Sequence, residues 1–263
     1  MIAVFAGNGD FPKEIIKSLI IKNRSYIVIN LSKNNYQNSY KVNLGRFGEI
    51  IKILKRNKVK EAIFAGKIYR PSFTSLRFDM TSLRFIPKLK AALKKGDGGL
   101  LDFASKVLKS YNINVVASHK YCKNLLLENL VTKQKPSTID FEDLKKSCAI
   151  LKSLSKFDNA QAIIVDNGHV LSIEAAEGTD LMLKRTAYLK KKFGNKKSGV
   201  LVKMPKKGQS LNYDLPTIGI KTIQLCINAN LKGIFLKKNK NIFLNKEKAI
   251  NLANKNNFFI SAV

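Results

Sequence analysis

The sequence predicts an α/β protein: an N-terminal Rossmann-like parallel-sheet domain followed by a C-terminal α/β domain. Three observations lead there. Short apolar runs of strand length alternate with amphipathic stretches of helix length, the pattern of a parallel sheet covered by helices. The first apolar run leads directly into Gly7-Asn8-Gly9-Asp10-Phe11-Pro12, a strand, a glycine turn and a helix start. Residues 131–139, VTKQKPSTI, have linker composition and divide two such series. The domains are therefore placed at residues 1–132 and 141–263, with the linker at 133–140.

In order, residues 2–6 read as a buried strand and 12–21 as a helix with Ile15, Ile16, Leu19 and Ile20 inward. The turn between them lacks the full GxGxxG fingerprint, because Pro12 stands at the third glycine's place. It reads either as a phosphate-receiving βα turn or as a tight turn without a ligand. Residues 26–31 and 62–65 are strands, and 47–56 a helix with Ile50, Ile51 and Leu54 inward. Gly66 to Arg70 then falls, like Gly7 to Gly9, at a strand's carboxyl end, where such sheets bind ligands.

The stretch TSLRFDM, residues 74–80, is nearly restated as TSLRFIP, residues 81–87. On a helix, the seven-residue offset would stack Leu76, Arg77 and Phe78 on Leu83, Arg84 and Phe85. Such a surface could suit a lipid or a membrane, but an ordinary packed connector is the plainer and favoured reading. Asp97, in Lys95-Gly96-Asp97-Gly98-Gly99, is placed to cap a helix over 100–111 or to hold a cation. Residues 115–117 form a further strand.

The second half opens with a helix over 141–156. Strands at 162–165 and 170–173 flank Asp166-Asn167-Gly168, an Asx-Gly hairpin turn. Glu174-Ala175-Ala176-Glu177-Gly178-Thr179-Asp180 puts three carboxylates ahead of a helix to 192, in a chain with only 18 acidic residues. After a strand at 199–202 comes LVKMPKKGQSLNYDLPTIG, with Lys203, Lys206, Lys207, Gly208 and Asp214. Cations, turns and one carboxylate suit phosphate and a hard metal; a solvated lysine loop is the plainer alternative. Residues 222–230, 234–236, 241–244, 246–254 and 258–261 complete the α/β pattern.

Composition narrows the chemistry. A net charge of +30 invites anionic partners. The basic residues are spread along the whole chain, however, and only seven are arginine, so nucleic acid is not an expected partner. Cys122, Cys148 and Cys226 lie far apart and His119 and His169 are isolated, which argues against zinc or a Cys–His nucleophile. Any metal would be held by oxygen. No apolar run reaches membrane-spanning length and the first residues do not read as a signal peptide, so cytoplasmic residence is expected.

GNGDFP, EAIFAGKIYRP, GDGGLL, AQAIIVDNGHVLSIEAAEGTD and LVKMPKKGQSLNYDLPTIG together resemble one family from residue 2 to 263. It is the two-domain UDP-2,3-diacylglucosamine diphosphatase of lipid A biosynthesis, the type unrelated to calcineurin-like phosphoesterases. The resemblance implies a Mg²⁺-dependent hydrolase that splits the pyrophosphate into 2,3-diacylglucosamine 1-phosphate and UMP. It marks Asp214, Glu177 and Asp180 as catalytic and metal-ligand candidates. The substrate-contact candidates are Gly7, Asn8, Gly9, Lys67, Asp97, Glu174, Thr179, Lys203, Lys207, Gly208, Gln209 and Thr217. Peripheral contact with the inner membrane is an expectation of a lipid substrate, and a homodimer is left open. One position departs from the family: Gly98 stands where a second aspartate is common. That motivates an alternative, a non-catalytic nucleotide–lipid binding protein of the same fold.

Overall fold

The computed structural model describes residues 1–68, 76–94, 96–157, 159–192, 194–206 and 215–263, and only the backbone at 94, 96 and 97. The described chain divides into two units, one through Lys123 and one from Asn124 onward.

In the first unit, strands β1 (Ile2–Ala6), β2 (Tyr26–Asn30), β3 (Ser39–Lys41), β4 (Glu61–Ala65) and β5 (Asn114–Val115) make one sheet in the order β3-β2-β1-β4-β5. Every pair in it is parallel. Strand periodicity sends Ala3, Phe5, Ile27, Ile29, Ala62 and Phe64 to one face. There they join Ile50, Ile51 and Leu54 of helix α2 (Phe47–Arg56) in a single core. Helix α1 (Phe11–Ile21) packs on β1 and β4. Its Ile15 and Leu19 are fully buried, whereas Ile20, expected inward, is 53% exposed. Pro12, Ile15 and Leu19 already fill the helix's inner stripe, and Ile20 lies beyond that stripe's edge. The order reverses direction at β1, so the turns after β1 and β4 meet at the sheet's switch point.

The repeated TSLRF motif does not form one stacked helix. Residues 76–79 are non-helical and α3 is only Met80–Leu83. Asp79 stops it: its Oδ1 accepts the Ser82 amide (2.9 Å) and hydroxyl (2.7 Å), an N-cap that excludes helix upstream. Helix α4 (Ile86–Lys94) follows, then α5 (Gly96–Ser110). Asp97 therefore lies inside the first turn of α5 rather than ahead of residue 100. The glycines at 98 and 99 are tolerated in a helix whose later apolar residues bury Phe103 and Leu108.

In the second unit, β6 (Ala162–Asp166), β7 (His169–Ile173), β8 (Val200–Lys203), β10 (Gly233–Leu236) and β12 (Phe259–Ala262) order as β12-β10-β8-β6-β7. β12, β10 and β8 are parallel, and β6 runs antiparallel to both neighbours. The expected hairpin is present, with Asn167 and Gly168 at φ +48° and +80°. Asp143, buried, accepts both turn amides (Asn167 at 3.0 Å, Gly168 at 2.7 Å).

Alternation again splits the strands between two cores. Ile163, Val165, Val200, Val202, Phe235 and Phe259 pack with Leu151 of α6 (Thr138–Leu154). Ala162, Ile164, Leu201, Ile234 and Ile260 pack against α7 (Thr179–Lys192), α8 (Ile220–Asn228) and α9 (Lys246–Lys255). A short parallel pair, β9 (Thr217–Ile218) with β11 (Ile242–Phe243), completes the unit. Residues 131 and 132 are tied to β12: the Val131 amide donates to Ile260 O (3.1 Å), and the Ile260 amide to Thr132 Oγ1 (2.9 Å). Among the described residues, no helix is long and apolar enough to cross a membrane.

Candidate active site

Lys203 ends β8, and its partner across β6 is Ala162. Glu174 follows β7, and its amide donates to the Ala162 carbonyl (2.9 Å). Lysine and glutamate thus flank a small alanine in one row of the sheet, on the face that α7 covers. Gly178, at φ +77°, supplies the left-handed turn that starts α7 and drops Thr179 between them.

The three side chains form a relay. Lys203 Nζ donates to Thr179 Oγ1 at 2.6 Å, and that hydroxyl donates to Glu174 Oε1 at 2.8 Å. The Gln161 amide reaches Glu174 Oε2 at 3.4 Å. All three are nearly out of water, with 5%, 9% and 7% exposure for Lys203, Thr179 and Glu174. Burial holds the Lys203 ammonium below the ordinary lysine range, and the carboxylates of Glu174 and Asp180 oppose that shift. The Cys226 thiol, wholly buried nearby, is pushed up by burial, against the pull of Lys203. Among the described residues Thr179 Oγ1 is the acceptor of Lys203, so two of its three N–H groups are left for a ligand.

The other acidic candidates are nearer to water and paired. Asp180 Oδ2 lies 2.7 Å from Lys221 Nζ, and Glu177 Oε1 lies 2.7 Å from Arg185. That guanidinium bond holds the Glu177 carboxyl below its usual range. Thr217 Oγ1 donates to Leu215 O (3.3 Å), and Thr217 pairs with Ile242 across β9 and β11. Next to Ile242 stands Asn241, fully buried, whose Nδ2 reaches the Lys203 carbonyl at 3.5 Å.

The amino-terminal candidates belong to the other unit. Gly7 N donates to Ala65 O (2.8 Å), and Asn8 exchanges backbone bonds with Lys67 at 2.8 and 2.9 Å. A β-carbon on Gly7 would stand 2.8 Å from the Lys67 carbonyl, so only glycine admits this zipper. The amides of Gly7 and Asn8 are thereby committed to the chain itself, and Gly9, at φ +99°, turns into α1. Lys207, Gly208, Gln209 and Asp214 lie outside the described residues, as does the side chain of Asp97.

Sequence reasoning passed over Gln161, Asn241, Lys221 and Arg185. Gln161 lies within the AQAIIVDNGHV stretch but gave no chemical signal of its own, Asn241 has no motif around it, and Lys221 stands two residues past DLPTIG. Gln161 is distinctive because, among the described residues, its buried Oε1 has no hydrogen-bond partner. No group of three His, Cys, Asp or Glu side chains among the described residues could hold a metal ion.

Fold and cluster define a two-unit α/β protein that holds a buried cation, with spare donors, beside carboxylates. The chain belongs to the LpxI family. Residues 1–125 match the LpxI N-terminal domain and residues 127–261 the LpxI C-terminal domain. It is 30% identical to the UDP-2,3-diacylglucosamine pyrophosphatase LpxI of Caulobacter vibrioides over 272 aligned positions, covering 100% of this chain and 97% of that protein.

Proposed function

We propose that the protein is a UDP-2,3-diacylglucosamine pyrophosphatase of lipid A biosynthesis, a hydrolase that yields 2,3-diacylglucosamine 1-phosphate and UMP. Full-length membership of the LpxI family, with 30% identity to a relative of that name, carries the reading.

The second unit's cluster suits the chemistry. Hydrolysis of a pyrophosphate develops negative charge on the leaving phosphate, and a preorganised ammonium in a dry site stabilises it without reorganisation. Lys203 is that ammonium: Thr179 orients it, the Glu174 carboxylate favours its charged form against the effect of burial, and its remaining N–H groups suit phosphate oxygens as acceptors. Asp180 and Glu177 sit at the start of the same helix and more in water, positions suited to orienting an attacking water.

Magnesium is part of the proposal. The oxygen donors Asp180 and Glu177 are chemically right for a hard cation. Both are held in ion pairs, and the family resemblance names Asp214 as a further oxygen donor. Bound there, Mg²⁺ would supply further neutralisation of phosphate charge.

UMP release from UDP-2,3-diacylglucosamine tests the reading, with Mg²⁺ or EDTA, for wild type and Asp214→Ala. The expected result is activity that EDTA and the substitution each abolish. Tight binding of the intact substrate by wild-type protein without release of UMP would establish the binding-protein alternative instead.

A further inference from the structure

The outward stripe of the α3–α4 segment has no part in the site above. Arg84, between the two helices, stays in the αR region, so the helical path hardly breaks. Ser82, Leu89 and Ala92 face inward and are buried. Phe85 also turns in and packs on Phe47 and Phe103 at ring distances of 6.0 and 6.3 Å. Met80, Leu83, Arg84, Pro87, Lys88 and Ala91 recur at helical spacing on the opposite side, and all are exposed. Met80 is 81% exposed and Leu83 48%, large apolar side chains turned to water. Arg84 and Lys88, and Arg77 just ahead, form no ion pair among the described residues. Asp79, the carboxylate next to the stripe, is spent on the Ser82 and Glu49 amides.

The geometry points to this stripe as a docking surface for an anionic lipid bilayer. Apolar side chains alternating with unpaired cations match both layers of such a membrane at once: acyl chains receive Met80 and Leu83, and lipid phosphates receive Arg77, Arg84 and Lys88. A nucleic acid would match the cations alone. The inference rests on the stripe, not on the substrate, and its test contains no nucleotide.

Full-length protein is sedimented with vesicles of phosphatidylcholine containing roughly one third phosphatidylglycerol, whose negative surface attracts basic segments. Wild type is expected to bind them and not pure phosphatidylcholine vesicles. Arg84→Glu/Lys88→Glu should weaken partitioning about twentyfold or more, from the loss of two surface cations. Met80→Asp/Leu83→Asp should weaken it comparably. Lys248→Glu/Lys255→Glu, on exposed positions of α9, makes the same change in net charge and should leave binding within about twofold, because it touches only the general charge. Failure of wild type to bind would overturn the inference. So would equal losses in the α9 variant, which would assign binding to net charge, or full binding by Met80→Asp/Leu83→Asp, which would mark a polyanion surface. Because every substituted side chain is exposed, circular dichroism is expected to be unchanged.

Discussion

Replacing Lys203 by Met keeps the length and apolar stem of the side chain and removes only the ammonium. Two consequences can be worked from the geometry. For stability, the lost bond to Thr179 is charge-assisted, about 1.5–3 kcal/mol in isolation. Against it stands relief of the burial that already depresses this lysine. Glu174 keeps the Thr179 hydroxyl and the Gln161 amide. The net cost should be below about 2 kcal/mol, a melting shift of roughly 2–8 °C for a unit of this size. For catalysis, removing one preorganised donor at developing charge typically costs about 10²–10³ in kcat. The assay is UMP release at saturating and subsaturating substrate, beside a thermal melt. A kcat loss of about a hundredfold or more, with a folded protein and a small KM change, is the expected outcome. Activity within threefold of wild type would refute the placing of this ammonium at the reacting phosphates. Lys203→Arg should rescue little, since a planar guanidinium does not fit a site 5% exposed and closed by Thr179.

Other consequences are separately measurable. The Lys203 pKa is lower folded than unfolded, so the unfolded chain binds more protons between the two values. Wild type should gain stability over Lys203→Met as pH rises through the window ending near 10.5, the ordinary lysine value; denaturant midpoints at a series of pH values would show it. Asp143→Ala strands the amides of Asn167 and Gly168 and should cost about 1–3 kcal/mol in urea unfolding. Gly66→Ala forces a β-carbon to 2.7 Å from the Asn8 carbonyl at φ +87°, and should lower the first unit's melting stability by about 2 kcal/mol or more. Burial pushes the Glu61 carboxyl up, but hydrogen bonds from Lys120 (2.7 Å) and Tyr121 bring it below the usual value. The advantage of wild type over Glu61→Gln should accordingly vanish as pH falls through the folded pKa, which a melt series below pH 5 would record.

Local signals in the sequence carry much of this architecture. Helix α2 is legible because Ile50, Ile51 and Leu54 fall on one face and all three are buried. The β6–β7 hairpin is legible because Asn-Gly demands the positive φ values observed. Strand β3, Ser-Tyr-Lys, is an exposed edge with no apolar alternation, and β9 exists only through pairing with β11, twenty-five residues on. Neither leaves a local trace. The start of α6 was legible in principle: Ser137 and Asp140 form a capping box whose spacing is plain, but the preceding lysines and proline read as linker. In the site, EAAEGTD and Lys203 stand out by composition, and Glu174, Thr179 and Lys203 converge. Their joining depends on the register that sets Ala162 opposite Lys203, and on a relay passing through a hydroxyl. Glu177 and Asp180, three residues apart, could face one centre, but each forms an ion pair with a different cation. Gln161 and Asn241 enter only through the fold.

The most direct measurement is the product ratio when the purified protein is incubated with UDP-2,3-diacylglucosamine and Mg²⁺ beside the Caulobacter vibrioides relative. One UMP per 2,3-diacylglucosamine 1-phosphate is the predicted result, with both products formed about a hundredfold or more slowly by Lys203→Met. Intact substrate after incubation with folded protein, while the relative turns it over, would contradict the account.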